Sequence, residues 1–150
     1  MSGGLALAAL DPGRAKCGLA LSPDGSRLQA LWIGSPAAAL QQLLAWHACQ
    51  PLQGVVVGCG TGSAGWPERL QRHLPGVAIW PRPEHGSTLQ ARGRYWQLWP
   101  PRGWQRWLPA GLRQPPGPLD DLAALVLLEA HLGTTLRSEG FQKEARTVNR

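Results

Sequence analysis

Apolar residues come in short runs separated by turn chemistry through the first eighty positions, and the runs differ in kind. "LALAAL" (5–10) and "GLALS" (18–22) are continuous apolar segments on either side of Pro12-Gly13, and "SPDG" (22–25) precedes the alternating "RLQALWIG" (27–34). Short runs joined by tight turns predict a three-stranded antiparallel meander whose third strand has one wet face. Ser35-Pro36 then opens "AAALQQLLAWHAC", with serine as N-cap and proline at the first helical position. Leu40, Leu43, Leu44 and His47 recur on one face of that helix, so it should pack on the sheet. "GVVVG" (54–58) is β-branched without alternation, the pattern of a parallel strand buried on both sides.

A glycine-rich loop follows, then a helix around "WPERLQRHL", a strand at "VAIW", and a helix reaching about Trp99 before Pro100-Pro101. "LDDLAALVLLEAHLG" is the clearest helix and is ended by Gly133. The fold class is therefore α/β, with a mixed five-stranded sheet, antiparallel over strands 1–3 and parallel thereafter, flanked by helices. Residues 1–133 read as one domain. Residues 134–150, mixed in charge and poor in large apolar side chains, read as a mobile tail.

The chain has 150 residues, enough for one domain with its own core. Its net charge of +6 is concentrated. Residues 82–113 hold six arginines (82, 92, 94, 102, 106 and 113) against Glu84 alone, a local excess of five that suits a phosphate-binding face. The three cysteines are widely spaced and form no CxxC pair, which argues against a disulfide framework or a zinc site. No signal peptide and no membrane-spanning run is evident, so a cytoplasmic setting is the default and no membrane partner is expected.

Four carboxylates occupy unusual positions. Asp11 ends an apolar strand, Glu84 follows "VAIW" after a Pro-Arg-Pro step, and Asp120 and Asp121 open an apolar helix. Strand ends and helix starts meet at one edge of a parallel sheet, so these acids can converge. Converging carboxylates repel unless a hard divalent cation such as Mg²⁺ or Mn²⁺ neutralises them. Two such ions clamp the attacking and leaving oxygens of a phosphodiester. Each acid also has a plainer explanation. Asp120 and Asp121 would favour a helix dipole, Glu84 could pair with Arg82, and Asp11 could cap the Pro-Gly turn.

The motifs carry a resemblance. "LDPGRAKCGLALS" has the D-x-G-x-x-x-x-G form that opens the YqgF/RuvX-type nucleases, relatives of the RuvC-type resolvases. "VVVG" with its glycine loop resembles that family's central strand, "PEHGST" its D-E-R-L-T-T element, and "DDLAALVLLEAHL" its last helix. These four elements occur in the family's order over roughly residues 5–132. Pro83 and His85-Gly86 depart from the second-to-last pattern, and tryptophan-rich text replaces the stretch before the last helix.

The resemblance implies a ribonuclease H-like fold and metal-dependent phosphodiester hydrolysis. It implies 5′-end processing of precursor 16S rRNA, with Holliday-junction resolution the alternative. Asp11, Glu84 and Asp120 would hold Mg²⁺ or Mn²⁺ as the catalytic and metal-binding set, with Asp121 a catalytic helper and Lys16 a phosphate contact. A catalytically weak RNA-binding or assembly module is a further alternative.

"RYWQLWPPRGWQRWLPAGLR" places Trp96, Trp99, Trp104 and Trp107 among arginines. Trp104 with Arg92, Arg94, Arg102 and Arg106 would bind nucleic acid, by stacking on unpaired bases and holding phosphates, which favours structured or single-stranded RNA over DNA. The i,i+3 spacing of each tryptophan pair equally suits a helix face packed on a core or a partner. A homodimer is left open. "GTGSAG" (60–65) has the form of a dinucleotide-binding loop, but the strand before it is not the first of a βαβαβ series. His85, beside Glu84, is a candidate aid to proton transfer.

Overall fold

The computed structural model describes residues 5–60, 62–83, 87–109, 112–113 and 115–149. Strands β1 (Ala6–Asp11), β2 (Cys17–Ser22) and β3 (Ala30–Gly34) form the antiparallel meander. Helix α1 (Pro36–Cys49) leads to β4 (Leu52–Cys59), and α2 (Trp66–His73) leads to β5 (Ala78–Pro83). After α3 (Ser87–Leu98) and a short 3-10 turn at Gly103–Trp107 come α4 (Asp120–Leu132) and β6 (Arg146–Val148).

The sheet order is β5-β4-β1-β2-β3-β6, with β4 and β5 parallel to β1. The first five strands thus have the order 3-2-1-4-5, antiparallel through the first three, which together with the flanking helices is the ribonuclease H-like arrangement. The sixth strand pairs parallel with β3 and lies within the segment where the sequence predicts a mobile tail. Three residues, Arg-Thr-Val, are too few for a periodic signal, and what orders them is long-range pairing.

β1 reads as continuously apolar because both of its faces are covered. Ala6, Ala8 and Leu10 pack with Leu40 and Leu43 of α1 and Leu70 of α2, while Leu7 and Ala9 pack with Tyr95 of α3 and Leu125 and Leu128 of α4. The edge strand β5 is mostly exposed and carries Pro81 and Pro83, which remove donors and discourage pairing with another chain.

Ser35 caps α1 by accepting from the Ala38 N–H at 3.2 Å, as its sequence position implies. His47 accepts the Leu52 N–H at 3.0 Å and so fastens the α1–β4 turn, an ordinary structural role. His131 of α4 stacks on Trp80 of β5, with ring centroids 4.7 Å apart. Burial, and secondarily the Arg82 cation, hold its pKa below the usual histidine range.

A depressed histidine pKa means the unfolded chain takes up the proton first. The stabilisation from neutral His131 is complete above the unfolded value, about 6.5, and is lost as pH falls from there through the folded value. Urea unfolding between pH 7.5 and 5 should therefore show a steeper loss of stability in the wild-type chain than in His131→Phe, which keeps a stacking ring without the proton. Parallel pH profiles would contradict this.

Candidate active site

Asp11 is the last residue of β1, and its cross-strand partner on β2 is Gly18. A Cβ on Gly18 would fall on the carbonyl group of Asp120 and the amide of Asp121. The absent side chain lets the first turn of α4 lie against the sheet, level with Asp11. Both glycines of the opening motif have a steric reason, because a Cβ on Gly13 would strike the Lys16 carbonyl within the turn. Gly18→Ala should cost about 1–3 kcal/mol by overpacking, measured as a lower urea midpoint, because backbone rather than a yielding side chain stands in the way. Unchanged stability would show that α4 does not rest there.

The neighbouring thiol reports the local field. Cys17 is buried, and its pKa is raised chiefly by that burial. A hydrogen bond to Gly13 O opposes the shift, the Asp11 and Asp120 carboxylates add to it, and Arg69 opposes it weakly. Two acids from distant parts of the chain thus act on one atom. Asp120 stands at the N-terminus of α4, where the helix dipole favours a negative charge.

The glycine-rich loop after β4 walls the same region. Gly62, at φ +85°, rests on the backbone of Gly13, with no room for a side chain. That packing and the position of β4 between β1 and β5 set the loop apart from a dinucleotide-binding turn, which opens a longer parallel series.

β5 runs parallel beside β4 and reaches the level of Cys59 with Pro83. Glu84, the third acid of the expected set, comes next and lies outside the described residues, as does His85. Among the described residues no three or more His, Cys, Asp or Glu side chains form a metal-holding cluster, so the described part of the set is the pair Asp11 and Asp120.

Asp121 faces elsewhere. It is fully buried, and its Oδ2 and Oδ1 accept from Nε and Nη2 of Arg146 at 2.7 and 3.1 Å. Its Oδ1 also accepts the Leu122 N–H, and Arg146 Nη2 donates to Pro118 O at 2.8 Å. Burial pushes the carboxyl pKa up, against the pull of Arg146. The pair is an anchor joining α4 to β6.

Of the expected phosphate contacts, Lys16, Arg102 and Arg106 are exposed and Arg92 is half-buried. Arg94 is different. It is buried, with Nε and Nη2 donating to the Glu129 carboxylate at 2.9–3.2 Å and Nη2 also donating to Leu136 O. It ties α3 to α4. No local sequence signal marks Glu129 or Arg146 as the partners, because both pairs join residues far apart in the chain. The tryptophans divide. Trp96 and Trp99 pack beside Tyr95, whereas Trp104 and Trp107 are 70% and 78% exposed.

No protein-family model matches the sequence, and no curated protein matches it. Among solved structures, the chain is similar to the nuclease domain of the large terminase subunit gp2 of bacterial virus Sf6, at 11% identity and a TM-score of 0.49, over 97% of this chain and 68% of that one. It is also similar to Thermus thermophilus RuvC in complex with a Holliday junction substrate, at 16% identity and a TM-score of 0.45, over 87% and 97%. An Aquifex aeolicus PPX-GPPA enzyme is similar over 66% of this chain and 42% of that one, at 13% identity and a TM-score of 0.37. Strand order and helix placement, not these identities, carry the ribonuclease H-like assignment.

Proposed function

We propose that this chain is a divalent-metal-dependent nuclease that hydrolyses nucleic-acid phosphodiesters. The observation that carries the reading is the approach of α4 to β1 through Gly18, which brings Asp120 to the edge where Asp11 ends its strand. An all-oxygen donor pair at one edge of the sheet fits a hard cation. Asp11 and Asp120 would hold Mg²⁺ or Mn²⁺ with Glu84 as the third ligand. The metal would supply Lewis-acid stabilisation of charge on the attacking and leaving oxygens.

The chain's own residues do the rest. Lys16, exposed in the turn that leaves Asp11, would take a substrate phosphate. Asp121 and Arg146 fix the first turn of α4, and with it Asp120. The exposed Arg102 and Arg106 extend the cationic surface for a polyanion.

The finer assignment is 5′-end processing of precursor 16S rRNA, which follows from the YqgF/RuvX-type motifs. The test is cleavage of a structured precursor-like RNA and of a four-way DNA junction, with Mg²⁺ or Mn²⁺ and with chelator. Metal-dependent RNA cleavage lost in Asp11→Asn supports the assignment, and cleavage of the junction alone moves it to a resolvase. Binding without cleavage of either substrate would overturn the enzyme in favour of a binding module.

A further inference from the structure

A groove of about 670 Å³ lies between the end of α3, the 3-10 turn and the C-terminal segment. Tyr95, Trp96 and Trp99 line it together with three prolines, and its cations are Arg102, Lys143 and Arg146. No acidic side chain is among its described lining residues. Arg146 is already neutralised by Asp121 and lies 5.3 Å from the Trp99 ring centroid. Arg102 and Lys143 are exposed, and neither makes an ion pair among the described residues. The Trp96 indole N–H is buried without a hydrogen-bond partner among the described residues.

We propose that this groove binds one unpaired nucleotide of a single strand, with its base against Tyr95, Trp96 and Trp99 and its phosphate on Arg102 and Lys143. The volume is within the range of small-ligand sites, and aromatic walls with unpaired cations at the rim are complementary to a flat base carrying an anion. A strand, rather than a free nucleotide, is indicated by what lies next to it. Gln105 of the lining belongs to the same turn as Trp104 and Trp107, whose exposed rings provide further platforms for successive bases. This inference deepens the nucleic-acid reading above, but its test does not depend on cleavage.

The experiment is a fluorescence-anisotropy titration of a labelled single-stranded oligonucleotide in chelator, using the full chain and Arg102→Ala/Lys143→Ala. Both substituted residues are exposed, and circular dichroism would verify that the variant remains folded. Loss of the two cations that neutralise that one phosphate should weaken binding roughly fivefold at about 0.1 M salt and reduce the salt slope by about 0.7. Wild-type affinity and slope in the folded variant would overturn the groove, and so would a wild-type chain that binds no single strand. Equal affinity for a duplex of the same length, whose bases are unavailable, would overturn it too. Displacement by stoichiometric adenosine monophosphate would replace the strand with a free nucleotide. Metal-dependent cleavage persisting beside any of these failures would leave the nuclease proposal standing.

Discussion

Asp11→Asn is expected to lower metal-dependent cleavage by about 10²–10³-fold while leaving the fold intact. The amide keeps the shape of the carboxylate but removes the charge that would hold the cation against developing negative charge. Asp11 is half-buried at the end of its strand, so an isosteric change removes no core contact. Urea unfolding of the variant checks that it stays folded. Cleavage retained within a few-fold in a folded protein would end the nuclease reading.

Arg146→Met should have the largest effect on stability, about 3–5 kcal/mol. Asp121 is wholly buried, and the substitution would strand its carboxylate while also releasing Pro118 O. Against a typical total of about 5–15 kcal/mol, that is a large share. Arg146 is also the first residue of β6 and packs near Tyr95 and Trp99, so its loss loosens the junction of β6, α3 and α4. The double variant Asp121→Asn/Arg146→Met should recover much of the loss, because the stranded charge and not the missing arginine is the main cost. Urea midpoints of the wild-type chain, both single variants and the double variant measure this. A cost below about 1 kcal/mol for Arg146→Met would contradict the buried pair.

What could be read from the sequence was whatever has a short period or a local cap. β1, β2 and β4 announce themselves because both faces are covered, which leaves no polar alternation. α1 begins at Ser35-Pro36 and α4 ends at Gly133 because capping is settled within a turn. The close approach behind Gly18 was present in the motif, yet its partner, the Asp120 backbone, is fixed only by tertiary structure.

Charges are harder to read. Arg94 and Arg102 look alike in an arginine-rich window, but one is satisfied by Glu129 inside the fold and the other remains at the surface. Asp120 and Asp121 are adjacent, yet one is half-buried where its backbone lies against Gly18 and the other is fully buried against Arg146. The i,i+3 tryptophans illustrate the same limit. Identical spacing gives a packed pair at the end of α3 and an exposed pair on the 3-10 turn, because the prolines between them break the chain's helical course.

The central proposition is that Asp11, Glu84 and Asp120 share one pocket that holds divalent cations. Calorimetric titration of Mn²⁺ into the wild-type chain and into Asp11→Asn, Glu84→Gln and Asp120→Asn tests it without recourse to any substrate. Each variant is expected to bind Mn²⁺ at least roughly tenfold more weakly, as loss of a direct ligand should cost no less than loss of a group that merely orients one. Wild-type affinity in Glu84→Gln, with the other two variants impaired, would remove Glu84 from the centre and contradict the three-carboxylate site.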